Sequence, residues 1–165
     1  MATVNKNLSQ YEKGNIPNGA DFRIGIVVSE WNGDITSNLM NGAIEALIEN
    51  GVVKNNILVK NVPGAFELPL GCQFMLEHDP ELDGVIAIGC VIQGETKHFD
   101  FVCQGTTQGI VAVTMEYNTP ISFCVLTDNT KQQSIDRSGG KHGNKGIECA
   151  VSLLKMIGLQ EDLES

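Results

Sequence analysis

Four segments of this chain carry side chains able to bind or react, and each follows or forms an apolar run. The richest is Cys90-Val91-Ile92-Gln93-Gly94-Glu95-Thr96-Lys97-His98-Phe99-Asp100. Unpaired N–H groups at a helix start attract phosphate, and a glycine such as Gly94 lets an anion approach the backbone. Thr96 adds a hydroxyl. Glu95 suits an anion site only if its carboxylate turns away and its N–H alone is used. His98 stands where it could transfer a proton, or it is simply a surface or capping histidine.

The other three segments are sparser. Ser29-Glu30-Trp31-Asn32 holds the only Trp of the chain, which either packs partly on the core or offers a flat platform to a ring. In Val62-Pro63-Gly64-Ala65-Phe66-Glu67-Leu68-Pro69, Pro63-Gly64 makes a tight turn. Glu67 there either stabilises a helix N-terminus or accepts ligand hydroxyls. Phe123 lies in the run Ile121–Leu126, where core packing is its simplest role. Arg137 and Lys145 follow. Single basic residues are commonly solvated, yet a bidentate Arg is the natural partner of a phosphate dianion.

These segments need elements to hold them. Short apolar runs at Phe22–Val28, Ile57–Val62, Gly84–Cys90 and Ile121–Leu126 read as strands. Helical spacing follows each. Ile35, Leu39, Ala43, Ala46 and Leu47 form one stripe, with Asp34 placed to cap it and Gly51 to end it. Further helices are expected over Phe66–Glu77, broken by Asp79-Pro80, and over Phe99–Tyr117. A short one should cover Thr130–Ser138. After Gly139-Gly140 comes a last helix with Ile147, Ala150, Val151, Leu154 and Ile157 on one face. Strands that are near-continuously apolar and alternate with helices mark a parallel sheet covered on both faces. In such a sheet ligands sit beyond the carboxyl ends of the strands, where the four segments fall.

Composition narrows the function. The 165 residues suit one domain, read as an arm over 1–20, a domain over 21–160 and a tail over 161–165. The arm is polar and is expected to be disordered or to add a strand to a neighbour. A net charge of −9 argues against nucleic acid and anionic membrane. No apolar stretch reaches a membrane span, and the polar N-terminus does not read as a signal peptide. Cys72, Cys90, Cys103, Cys124 and Cys149 include no C-x-x-C pair, so reduced, mostly buried thiols of a cytoplasmic protein are expected, with no metal and no bound cofactor. No dinucleotide fingerprint, phosphate-binding P-loop or nucleophile elbow is present. Ser29 and Cys90 end two strands where a phospho-accepting receiver would need carboxylates.

Taken together, GIVVSEWN (Gly25–Asn32), VPGAFELP (Val62–Pro69), GCVIQGETKHFDFVC (Gly89–Cys103) and GNKGIECA (Gly143–Ala150) resemble the lumazine synthase family. The likeness runs from about Phe22 to Leu159. It implies an α/β fold, a three-layer αβα sandwich with a central four-stranded parallel sheet of flavodoxin-like type. It also implies that 5-amino-6-(D-ribitylamino)uracil condenses with 3,4-dihydroxy-2-butanone 4-phosphate to give 6,7-dimethyl-8-ribityllumazine, the penultimate step of riboflavin synthesis. The substrate amine is the nucleophile, which agrees with the lack of an obvious one in the chain.

By this resemblance Trp31 stacks on the pyrimidine and Asn32 touches the uracil edge. Ala65, Phe66 and Glu67 hold the ribityl chain. Cys90, Val91 and Ile92 read the uracil through main-chain groups. Gly94, Glu95 and Thr96, with Arg137, clamp the phosphate, and His98 shuttles protons. Phe123 covers the site from a neighbouring subunit, and Lys145 lies near the phosphate. Cys90 and Lys97 depart from residues common in relatives. Partners implied are the small-molecule substrates, further copies of the chain as a pentamer, and riboflavin synthase. The compact link Ser138–Asn144 favours a shell of twelve pentamers. Rival readings are a flavin- or lumazine-binding protein without turnover, a shell subunit valued for its cage, and a flavodoxin-like regulator.

Overall fold

The computed structural model of the chain describes residues 7–164. The first six residues of the expected arm, and Ser165 of the expected tail, lie outside that range. Four parallel strands form one sheet: β1 (Ile24–Ser29), β2 (Ile57–Val62), β3 (Gly84–Ile92) and β4 (Ile121–Asp128), in spatial order β2-β1-β3-β4. Five helices follow in alternation: α1 (Gly33–Glu49), α2 (Leu68–His78), α3 (His98–Tyr117), α4 (Lys131–Arg137) and α5 (Lys145–Glu164). The three-layer α/β sandwich expected from the sequence is the fold observed.

Side-chain alternation along the strands divides the core into two layers. Ile24, Ile26, Val28, Ile86, Ile88, Cys124 and Leu126 point to the face covered by α1 and α5. Val27, Val85, Ala87 and Val125 point to the face covered by α2 and α3. Central β1 and most of β3 are buried on both faces, whereas β2 is half exposed along its length. That is the burial of an edge strand, and it accounts for Lys60 and Asn61 inside an otherwise apolar run. Where α5 starts, Gly146 lies against the Leu39 carbonyl of α1, and a Cβ at 146 would collide with that backbone. Glycine is therefore what lets the two helices cross so closely.

Several element ends differ from the sequence reading. Asp34 does not cap α1. Asn32 is the N-cap, in the left-handed region at φ 59° and without a side-chain cap bond, while Asp34 pairs with Lys131 at 2.7 Å. Gly51 ends α1 as expected, at φ 98°. The Gly51 N–H donates to Ile48 O and the Val52 N–H to Leu47 O, the bond pattern of a Schellman cap. The second helix begins as a 3-10 turn, Ala65–Glu67, before α2 proper. Strands β3 and β4 each run two residues beyond the expected bounds Cys90 and Leu126, to Ile92 and Asp128. Thr130 and Gln133 form a capping box that starts α4.

The link after α4 is a small antiparallel hairpin of β5 (Ser138–Gly140) and β6 (Gly143–Asn144). Two described arm residues bond to the domain: Leu8 N donates to His142 O at 2.8 Å, and Tyr11 Oη donates to Glu49 at 3.0 Å. No described helix is long and apolar enough to cross a membrane.

Candidate active site

The carboxyl ends of β1, β2 and β3 open on one cleft of about 480 Å³, within the range of small-ligand sites. Each strand exit is braced to another. After β1, Glu30 N donates to Val62 O at 2.8 Å and Trp31 N to Pro63 O at 3.2 Å, so the chain stays paired with the β2 exit for two more residues. This fixes Trp31 with its side chain 73% exposed on the cleft wall, which decides against core packing. Asn32 tolerates its left-handed conformation better than a bulkier residue would. Its side-chain amide donates to Cys90 O at 2.9 Å and ties the β1 exit to the β3 exit.

The β2 exit turns at Pro63-Gly64 into the 3-10 turn. The buried Thr106 hydroxyl of α3 donates to Ala65 O at 3.1 Å and locks that turn to α3. Glu67 is exposed, and its carboxylate folds back to within 3.0 Å of where a Cβ on Gly64 would stand. Its position on the wall suits the ligand-hydroxyl role.

Beyond β3 the loop Gln93–Lys97 leads into α3. Gln93 N donates to Asp128 O at 2.9 Å, anchoring the start of the loop. Thr96 Oγ1 accepts from His98 N at 3.4 Å, organising the helix entry. The space in front of Gly94 is open. An exposed loop of main-chain N–H groups leading into a 20-residue helix is suited to an anion. His98 is the first residue of that helix, exposed and on the cleft wall.

The cleft thus gathers Trp31, Asn32, Ala65, Phe66, Glu67, Cys90, Val91, Ile92, Gly94, Thr96 and His98. It adds Gly64, Phe99 and Val102, which the sequence reading did not name as site residues. Val102 is one helical turn past His98, so the 3.6-residue period is the signal that could have found it. Glu95 is exposed on the loop but is not part of the wall.

Three expected residues fall elsewhere. Phe123 and Lys145 line a second groove, of about 650 Å³, along the open edge of β4 beside α5. There Lys145 Nζ lies 2.7 Å from Glu148. Burial opposes the Lys145 charge, yet the Glu148 carboxylate holds its pKa above the ordinary lysine value. Burial likewise opposes the Glu148 charge, and Lys145 outweighs it, keeping that carboxyl below the usual range. Arg137 closes α4, away from the cleft wall. Its Nη1 donates to Gln133 O at 3.1 Å, and its Nε stands 3.9 Å from Asp128.

The thiols supply no obvious nucleophile. All five are unpaired and four are buried. Burial pushes Cys72 up to about 12 and raises Cys90 as well. What the cleft offers is a flat ring, main-chain groups at a strand end, a carboxylate, an anion loop and an imidazole: the means to hold and align ligands and to move a proton.

Sequence comparison agrees with that inventory. The profile of the 6,7-dimethyl-8-ribityllumazine synthase family matches residues 21–161. A protein of that name from Christiangramia forsetii is 59% identical over 162 residues, covering 98% of this chain and 96% of the relative. One from Flavobacterium johnsoniae is 60% identical over 161 residues, covering 98% and 84%. One from Porphyromonas gingivalis is 52% identical over 160 residues, covering 97% and 99%. With a family match over most of its length and relatives this similar from end to end, the chain belongs to the 6,7-dimethyl-8-ribityllumazine synthase family.

Proposed function

We propose that the cleft condenses 5-amino-6-(D-ribitylamino)uracil with 3,4-dihydroxy-2-butanone 4-phosphate to give 6,7-dimethyl-8-ribityllumazine. The substrate's ring amine attacks the ketone, and an imine forms with loss of water. Phosphate then leaves, and the ribityl-bearing nitrogen closes the second ring with loss of another water. No step needs a nucleophile from the protein. Aligning two reactants can supply up to about 7–11 kcal/mol of the barrier. Proton transfer by a positioned imidazole adds about 10²–10⁴ in rate. Orientation is therefore the larger contribution and His98 the smaller.

The roles are those the family resemblance implies, and the gathering of the cleft residues supports them. Trp31 stacks on the pyrimidine, with Asn32 near its edge. Main-chain groups of Cys90, Val91 and Ile92 read the uracil. Ala65, Phe66 and Glu67 hold the ribityl chain. The N–H groups of Gly94, Glu95 and Thr96 cradle the phosphate, and His98 moves protons between the two ends. Phe123, Lys145 and Arg137 act on the cleft of a neighbouring copy in a ring. Their separation from the cleft within one chain supports that assignment. A ring of five copies is the assembly the resemblance implies, and the short link before α5 favours a shell of twelve such rings; particle mass by light scattering separates the two. The unpaired thiols support a reducing, cytoplasmic setting.

The observation that carries the reading is the convergence of an aromatic plate, an anion loop and an imidazole at three adjoining strand exits. Incubation with both substrates should produce lumazine fluorescence and release one phosphate per product. Binding of lumazine with neither signal would instead support a ligand-binding protein without turnover.

A further inference from the structure

Asp128 closes β4, and the fold uses it twice. Its main-chain carbonyl accepts from Gln93 N at 2.9 Å, fixing the start of the anion loop. Its carboxylate, only 11% exposed, meets two side chains from α4. Oδ2 accepts from Ser134 Oγ at 2.9 Å, and Oδ1 stands 3.9 Å from Arg137 Nε. Ser134 is fully buried, and its hydroxyl in turn accepts from the buried Cys90 thiol at 3.4 Å. The hydrogen bonds run one way, from thiol to hydroxyl to carboxylate, beginning at the β3 residue whose carbonyl Asn32 holds.

The geometry at Arg137 is informative. A separation of 3.9 Å is too long for a hydrogen bond, so Asp128 acts on the guanidinium through charge alone. The anchor on Ser134 keeps the carboxylate from swinging into a bidentate pair, which would occupy the donors a phosphate needs. Gln133 O takes one donor, on Nη1. The remaining Nη donors have no partner among the described residues, and the side chain is 37% exposed. An arginine left to itself samples many rotamers; one flanked by a fixed carboxylate and a fixed carbonyl is held in one direction.

We propose that Asp128 is a positioning residue for the phosphate substrate: its anchored carboxylate aims Arg137 without consuming the donors that bind the phosphate. Ser134 and Cys90 set the place of that carboxylate. The inference rests on the reading of Arg137 as a phosphate ligand.

The test is a double-mutant cycle on the full-length protein, with KM for the phosphorylated ketone and inhibition by inorganic phosphate as readouts. Asp128→Ala should raise that KM by about tenfold, the effect of misplacing one charge-assisted contact. The KM for the diamine substrate and kcat should stay within about twofold. Arg137→Ala should raise the phosphate KM further, and adding Asp128→Ala to it should change nothing more. If Asp128→Ala raises the KM by the same factor with Arg137 absent, or not at all with Arg137 present, the inference is wrong while the Arg137 reading stands. If Arg137→Ala itself leaves phosphate binding unchanged, both are wrong. Asp128→Asn keeps an acceptor for Ser134 and removes only the charge; it should match the alanine variant, and wild-type phosphate binding in it would overturn the proposal. Asp128→Asn also serves if the alanine variant fails to fold.

Discussion

On the proposed function, the cleft and the β4 edge carry opposite halves of one chemical requirement. The cleft has rings, a carboxylate, main-chain donors and an imidazole, and no Lys or Arg stands on its wall among the described residues. The edge region has Lys145 in its groove and Arg137 nearby, but no anion loop. A phosphate dianion in a protein of net charge −9 calls for a local cation as well as N–H groups. The two regions also differ in support. Hydrogen bonds between strand exits, Trp31 to Pro63 and Asn32 to Cys90, and one from α3, Thr106 to Ala65, brace the cleft within one chain. At the edge, Phe123 is half-buried on an outermost strand. In the proposed ring, where one face of each copy meets a different face of the next, a cleft without a cation and a cation-bearing edge without such a loop would complete each other.

The largest expected effect tests the cleft alone. His98→Ala should lower kcat by about 10²–10⁴ while leaving a slow, measurable turnover, because alignment survives the loss of the imidazole. Steady-state rates across pH check this. Full turnover in the variant at every pH would remove His98 from proton transfer and leave the cleft working by alignment only.

Next comes the division between the two regions. His98→Ala spoils a cleft and leaves an edge intact; Arg137→Ala does the reverse. Unfolded together in equal amounts and refolded, the two should form rings in which about a quarter of clefts pair an intact cleft with an intact edge. Activity at low phosphate substrate should then approach a quarter of wild type, well above either parent. If cleft and edge of the same chain serve the same site, no intact pair can form and activity will stay at the parental level.

The amino-acid sequence made the inner strands legible because two-sided burial leaves an uninterrupted apolar run such as GVIAIGC. Edge strand β2 read less cleanly, since its exposure admits Lys60 and Asn61. The last two residues of β4, Thr127 and Asp128, were invisible to hydrophobicity, whereas Val91 and Ile92 of β3 are apolar and lie past Cys90, where the sequence reading ends that strand. Ile92 and Asp128 pair in the ladder through backbone, whatever their side chains. Cleft residues could be found because short motifs place them at strand ends, where a parallel sheet must gather them. The relay from Cys90 through Ser134 to Asp128 could not. Its members are 44 and 6 residues apart, and only the β3–β4 register and the capped start of α4 bring them together. The β5–β6 hairpin was missed for a similar reason: five strand residues rich in glycine carry almost no side-chain pattern.

The smallest effect sharpens what the cleft's exposed ring contributes. Trp31 is 73% exposed, so replacing it should leave the melting temperature close to wild type. Its contribution appears only when a ligand ring covers it. Stacking of aromatic pairs is worth about 0.5–1.5 kcal/mol beyond buried area, so Trp31→Ala should raise KM for the aminouracil by about 2- to 12-fold. KM for the phosphorylated ketone should not move, because the phosphate end of the site is built from other residues. Trp31→Phe keeps a ring at the same place and should recover most of the loss. If alanine and phenylalanine variants behave alike, the indole does not stack. If Trp31→Ala weakens both substrates equally, the residue shapes the cleft as a whole rather than the pyrimidine end.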